Sequence, residues 1–330
     1  MKRREFITLL GGAAAWPLAA RAQQPPTTVR RIAVLMTNAE DDPEAQSRIV
    51  ALNQGLEKLG WAPGRTVKIE YRFAVVDADR TRNTAAELVA SAPDVILAHT
   101  PAMVVALMQA TNTIPIVFVQ ASDPVSLRLV TGGLSQPSGN VTGFVLFEPS
   151  LAGKWLQFLK EVSPGITRVL VLQGVANPSS AGFLRSLQAV ASPAVSVEGM
   201  EVREAVDVER AISAVAAHTN SGLIVLPSPI ATVQRELIIK LAAQHRLPAV
   251  YPFRFFVTAG GLMFYGANNV DQWRQAASYV DRIFWGTQPR DLPIQLPTKF
   301  ELVINLNTAK ALGIVIPPGV LALADEVIES

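Results

Sequence analysis

Short runs of β-branched and aliphatic residues alternate with amphipathic stretches from Arg31 to Trp285, and this rhythm restricts the fold more than any other feature. Arg31-Ile32-Ala33-Val34-Leu35-Met36 reads as a buried strand. The stretch 44–59 reads as a helix, because Ile49, Leu52, Leu56 and Leu59 recur 3, 4 and 3 residues apart, and Gly60 supplies its stop. The spacing then predicts a strand at 67–73, a helix at 80–92, a strand at 94–98, a helix at 101–111 and a strand at 115–119.

The rhythm restarts after 140–147. Helices are predicted at 151–162, 179–190, 207–218 and 232–245, and strands at 168–172, 196–202, 222–226, 248–250 and 261–265. The stretch 270–285 is a strong helix with Trp273, Ala276, Ala277, Val280, Ile283 and Phe284 on one face. Two successive sets of β-α units predict an α/β protein of two doubly wound parallel-sheet lobes. In such sheets a ligand sits beyond the carboxyl ends of the strands. There the first lobe offers Thr37-Asn38, His99-Thr100 and Ser122-Asp123. The second offers Asn177, Ser179-Ser180 and Ser228, with Tyr251, Phe253 and Tyr265 as candidate walls.

The first 22 residues carry a charged start (Lys2, Arg3, Arg4), an apolar stretch, and Ala20-Arg21-Ala22. This is the pattern of a cleavable export signal, too short and too interrupted by Gly11, Gly12 and Pro17 to span a bilayer. Cleavage is expected after Ala22, with 23–28 as a linker. Arg3-Arg4 followed by Phe6-Ile7 also fits a twin-arginine signal, although general secretion signals carry arginines too. The formal net charge of +2 is a product of this leader, which contributes +3 and leaves −1 from Gln23 onward. Basicity therefore gives no argument for nucleic acid. With no cysteine, disulfides, zinc-thiolate sites, thiol catalysis and a lipidated N-terminal cysteine are excluded. A periplasmic protein without membrane insertion after cleavage is the expectation.

Chemistry-bearing motifs are scarce. No G-x-S-x-G, P-loop or G-x-G-x-x-G pattern occurs, so no cofactor and no catalytic residues are assigned. His218 and His245 fall at predicted helix ends, where a cation favours the dipole, and no histidine spacing suits a metal. His99 stands at a strand end, as a wall residue rather than a general base. Asp41-Asp42 precede Pro43 and read as stabilising a helix N-terminus, and Asp207 reads as an N-cap. Asp123 precedes Pro124, so it is either a cap or the counter-ion of a ligand ammonium.

Several long motifs in order carry a resemblance. They are Arg3-Arg4-Glu5-Phe6-Ile7, Ile114-Pro115-Ile116-Val117-Phe118 leading into Ser122-Asp123-Pro124-Val125, Pro137-Ser138-Gly139-Asn140-Val141-Thr142-Gly143, Gly260-Gly261-Leu262-Met263-Phe264-Tyr265-Gly266, and Phe300-Glu301-Leu302-Val303-Ile304-Asn305. Over essentially its whole length the chain resembles the periplasmic substrate-binding components of ABC transporters of the type I fold, in the group that includes tryptophan- and tyrosine-type binding proteins. Departures are Phe255 after Arg254, where the family often has glutamate, and Phe264 before Tyr265-Gly266, where it often has serine. Both put apolar bulk near the expected cleft.

The resemblance implies hinge closure of two lobes on a small molecule, with a membrane permease recognising the closed form. It implies an N-terminal lobe of 29–143 plus 267–287 and a C-terminal lobe of 144–266 plus 288–330. It implies an amino acid or related small carboxylate as ligand, aromatic ones included, and a monomer. Asn38, Thr100, Ser122, Asp123, Asn177, Ser228 and Tyr265 are the ligand-binding candidates. A sensor module serving a receptor differs only in its partner, and an enzyme on the same fold would need an acid–base pair that the motifs do not supply.

Overall fold

The computed structural model describes residues 29–37, 39–73, 78–121, 124–125, 127–131, 133–175 and 180–329. The leader, its cleavage point and the linker 23–28 lie outside the described residues.

The first unit runs β1 (Arg30–Met36), α1 (Pro43–Lys58), β2 (Val67–Phe73), α2 (Ala78–Ala90), β3 (Val95–Ala98), α3 (Pro101–Ala110), β4 (Ile116–Ala121) and β5 (Val141–Val145). Its five strands form one parallel sheet in the order β2-β1-β3-β4-β5. Side chains alternate across it, as strand geometry demands. Ile32, Val34 and Met36 face one core with Leu52 and Leu56 of α1, whereas Ala33 and Leu35 face the other with Leu88, Val104 and Leu107.

The second unit runs α4 (Leu151–Val162), β6 (Arg168–Gly174), α5 (Ser180–Val190), β7 (Ser196–Val202), α6 (Ala205–Ala216), β8 (Ser221–Val225), α7 (Pro229–Val233), α8 (Arg235–Gln244), β9 (Ala249–Tyr251), α9 (Arg254–Thr258) and β10 (Met263–Ala267). After α10 (Asn269–Phe284), it resumes with β11 (Phe300–Asn305), α11 (Leu306–Leu312), α12 (Pro318–Leu321) and β12 (Glu326–Ile328). The second sheet has the order β12-β11-β10-β9-β8-β6-β7. Val169 and Val171 pack against Trp155, Leu159 and Phe183, while Leu170 and Leu172 pack against Val208, Ile212 and Ile238 on the opposite face.

The α/β reading with two parallel-sheet lobes therefore holds, with two local departures. β11 runs antiparallel to β10. The chain returns from the first unit at the end of the sheet where β9 and β10 finish, so its next strand must run away from that end. The helix expected at 232–245 is two helices, because Ser228-Pro229 starts α7 early and the chain is no longer helical at Gln234 (φ −94°, ψ 18°).

α10 belongs with the first sheet. Trp273, Ala276, Ala277, Val280, Ile283 and Phe284, the face read from the sequence, are all buried there. It meets α1 closely enough that a Cβ on Gly55 would lie 2.6 Å from the Arg274 carbonyl oxygen. Three segments join the units: 146–150 after β5, Asn268 between β10 and α10, and 296–299 before β11. The third is anchored where Gln295 N–H donates to Gly143 O (2.9 Å) and Val145 N–H donates to Gln295 O (2.8 Å).

Candidate functional site

In an open α/β sheet the ligand crevice opens where the strand order reverses, outside the carboxyl ends of the two strands concerned. The first sheet reverses between β1 and β3, and the second between β6 and β8. Thr37 and His99-Thr100 follow the first pair. Gly174 ends β6, and Ser228 lies shortly beyond β8.

At the first reversal a buried polar chain closes the strand ends. Gln120 Nε2 donates to the backbone oxygen of Asn269 (3.0 Å), which turns its Oε1 toward His99 Nε2 at 2.7 Å. That arrangement assigns the His99 proton to Nε2 and leaves Nδ1 to accept from the Thr37 hydroxyl at 3.0 Å. The Trp273 ring meets the imidazole edge-on at 5.6 Å. Burial, helped by the Arg48 guanidinium and opposed by the Gln120 bond, pushes the His99 pKa down to about 3. His99 is thus a neutral imidazole at neutral pH, with both ring nitrogens engaged within the protein.

Arg48 projects from α1 into this floor and is itself buried, 3.8 Å from Glu44 across one helical turn. Burial lowers its pKa, against the pull of Glu44 and Asp42. Of Asp41-Asp42, it is Asp42 that caps α1, its Oδ1 accepting from Glu44 N–H at 2.8 Å. Asp207 is a first-turn residue rather than the cap. α6 starts two residues earlier than expected, so Asp207 reaches back to accept from Arg203 N–H at 3.0 Å.

Thr100 occupies the N-cap position of α3 without making a side-chain cap bond. Its Oγ1 is buried and has no hydrogen-bond partner among the described residues. Ser228 caps α7, accepting from Ala231 N–H at 3.2 Å. It rests directly on the end of β6, where a Cβ on Gly174 would come within 2.7 Å of the Ser228 Cβ.

Tyr265 stands elsewhere. It leans on Phe158 (5.0 Å) and stacks on Phe300 (5.8 Å), while its carbonyl accepts from Trp155 Nε1 at 2.7 Å. With Leu146, Glu148, Leu151, Lys154 and Phe300 it lines a cavity of about 260 Å³ beside the joining segments. Burial first, then the charge of Asp325, raises the pKa of its phenol. The structure therefore places Thr100 and Ser228 at the two reversals and Tyr265 at the hinge side. Asn38, Ser122, Asp123 and Asn177 lie outside the described residues.

The two phenylalanines that depart from the family pattern have different fates. Phe264 turns into the sheet and packs with Val257 and Val303. Phe255 stacks on Phe253 at 5.1 Å, and Phe253 meets Phe147 edge-on at 5.4 Å, giving a run of rings beyond the end of β9. Sequence reasoning missed Gln120 and Arg48. A signal existed for Arg48, a cation on the buried face of α1 between Ala45 and Leu52. Gln120 carried none, because its placement depends on a positive φ of 71° that glutamine rarely adopts.

Among the described residues no group of three or more His, Cys, Asp or Glu side chains could hold a metal, and no helix is long and apolar enough to cross a membrane.

The profile of a family described as "ABC transporter substrate binding protein" matches residues 32–328. A tyrosine-binding protein of Clostridioides difficile is 25% identical over 260 residues, covering 78% of this chain and 74% of its own length. Among solved structures, a conserved domain protein of Vibrio cholerae superposes with a TM-score of 0.83 at 27% identity, covering 91% of this chain and all of the other. A Streptococcus pneumoniae ABC domain solved in complex with L-Trp gives the same TM-score of 0.83 at 22% identity, again over 91% of this chain and all of the other.

Proposed function

Because the chain belongs to the ABC transporter substrate-binding protein family and serves as a periplasmic solute-binding component, we propose that its solute is an amino acid with an apolar, aromatic side chain. The observation that carries this is the pairing of two reversal points with one aromatic wall. Thr100 and Ser228 stand at the reversals, and the half-buried Phe253 and Phe255, stacked on one another, follow the carboxyl end of β9, the strand beside β8. A flat side chain finds edge and face contacts there, and hydroxyls suit a carboxylate. The tyrosine-binding and L-Trp-bound relatives support the same class.

In this reading the lobes are 29–143 plus 267–287 and 144–266 plus 288–330, and the joining segments act as the hinge. Asn38, Thr100, Ser122, Asp123, Asn177 and Ser228 face the solute, with Asp123 on the ammonium. Tyr265 contributes from the hinge side. Solute touching both lobes shifts the population to the closed form, by no more than its difference in affinity for the two forms. An inner-membrane permease then receives the closed monomer. Export by the leader, with cleavage after Ala22, brings the protein to that compartment. The role uses no catalytic step, and the strand-end histidine, held neutral by burial, has both ring nitrogens engaged within the protein.

A thermal-shift screen on protein unfolded and refolded to strip carried-over solute tests the proposal. L-tyrosine or L-tryptophan should raise the melting temperature progressively with concentration, as mass action requires. A shift produced only by sugars or by aliphatic acids would refute the aromatic amino-acid assignment.

A further inference from the structure

The three joining segments meet at one knot, and two glutamine side chains tie it. Val145, where the first segment leaves the sheet, donates its N–H to Gln295 O (2.8 Å) at the start of the third. Its carbonyl accepts from Gln272 Nε2 at 2.7 Å, on the first turn of the helix that follows the second segment. Gln120 Nε2 then holds the carbonyl of Asn269, the first residue of that helix, at 3.0 Å. Both glutamines are buried, so these amides trade hydrogen bonds in a low dielectric, where an unmet group is penalised most.

The backbone at Gln120 is bent to serve this contact. Val119 faces the α1–α10 core and Ala121 the opposite core, although residues two apart in a regular strand share a face. The pairing of β4 with β5 shifts register between them, and Gln120 takes up the difference at φ +71°. A strained non-glycine residue persists only where its surroundings over-determine it, and such positions cluster at clamps and switches. Gln272 Oε1 is buried and has no partner among the described residues, so this amide still has an acceptor to offer.

Resting on the two-lobe binding reading above, we propose that Gln120 and Gln272 are positioning residues that set the interlobe angle. A shift of Gln120 moves the entry of α10 through the Asn269 carbonyl. Gln272 carries that movement to the segment leaving β5. Neither residue touches the solute.

The full chain contains no cysteine, so a Val50→Cys, Val233→Cys pair, one exposed site in each lobe, can be spin-labelled cleanly. Pulsed dipolar spectroscopy on the solute-free protein reads the interlobe distance distribution. Gln120→Leu and Gln272→Met should each broaden it and move its mean. Gln120→Glu keeps the acceptor facing His99 but loses the donor to Asn269, and should behave like Gln120→Leu. Folded variants, verified by circular dichroism, that keep the parent distribution overturn the proposal, as does a Gln120→Glu variant that matches the parent. If Gln120→Leu does not fold, the other two variants decide. Failure of L-tyrosine and L-tryptophan to alter the parent distribution refutes the solute assignment instead and leaves the solute-free comparison standing.

Discussion

Replacing His99 by glutamine should make the protein less stable at neutral pH yet less sensitive to mild acid. The folded His99 refuses a proton until about pH 3. In the unfolded chain an ordinary histidine accepts one near pH 6.5. Between those values the unfolded state binds more protons, so stability rises with pH and is lost as pH falls. Integrating the difference from pH 7 to pH 5 gives about 2 kcal/mol, and about 5 kcal/mol once both forms are protonated. The groups facing the ring are Arg48 from α1, Thr37 beyond β1, Gln120 from β4 and Trp273 from α10. Arg48 is the one charge among them and it opposes protonation, so among the described residues no carboxylate faces the ring to rescue the imidazolium. His99→Gln loses part of the buried hydrogen-bond chain, about 1–3 kcal/mol at pH 7. At pH 5 the gap to the parent should shrink by about 2 kcal/mol, because only the parent suffers the proton linkage. Urea unfolding of both proteins at both pH values measures this, and the difference of differences cancels the carboxylates they share. A gap that stays constant between pH 7 and pH 5 would show that His99 protonates freely in the folded state.

Two further substitutions probe the scaffold and the second reversal point. Gly143→Ala would put a Cβ 2.1 Å from the Phe118 carbonyl oxygen, in the middle of the β4–β5 pairing. Neither backbone can yield without breaking the ladder, so a loss of about 3 kcal/mol or more in unfolding free energy is expected. A melting temperature within a degree of the parent would contradict the close approach. Ser228→Ala removes the α7 cap, about 1 kcal/mol of stability. If Ser228 faces the solute as proposed, the same change should weaken solute binding about two- to tenfold by calorimetry. Unchanged affinity would leave Ser228 a cap and nothing else.

What the sequence disclosed and what it hid divide along a physical line. The strands at 67–73 and 196–202 and the helix at 151–162 were read to the residue. Period and punctuation are local, and nothing distant overrides them in those segments. The buried stripe of α10 is legible for the same reason, as is the acidic start of α1 at Asp41-Asp42, of which Asp42 is the cap. The direction of β11 was not, because it depends on where the chain re-enters the second lobe. Strand ends were legible too, and Thr100 and Ser228 do stand at the two reversals. Which polar atoms remain free there was not. Ser228 Oγ accepts from Ala231 N–H and keeps only its own proton and a lone pair to offer, whereas Thr100 Oγ1 is buried and unmatched among the described residues. Two hydroxyls that look alike in the sequence would therefore enter the proposed binding on different terms. A solute group reaching Thr100 meets a need the folded chain leaves open, while one reaching Ser228 adds to a bond already made. An unmet buried hydroxyl is penalised by roughly 1–3 kcal/mol, more than one neutral hydrogen bond returns on average, so the larger part of any hydroxyl-derived affinity should come from the first lobe.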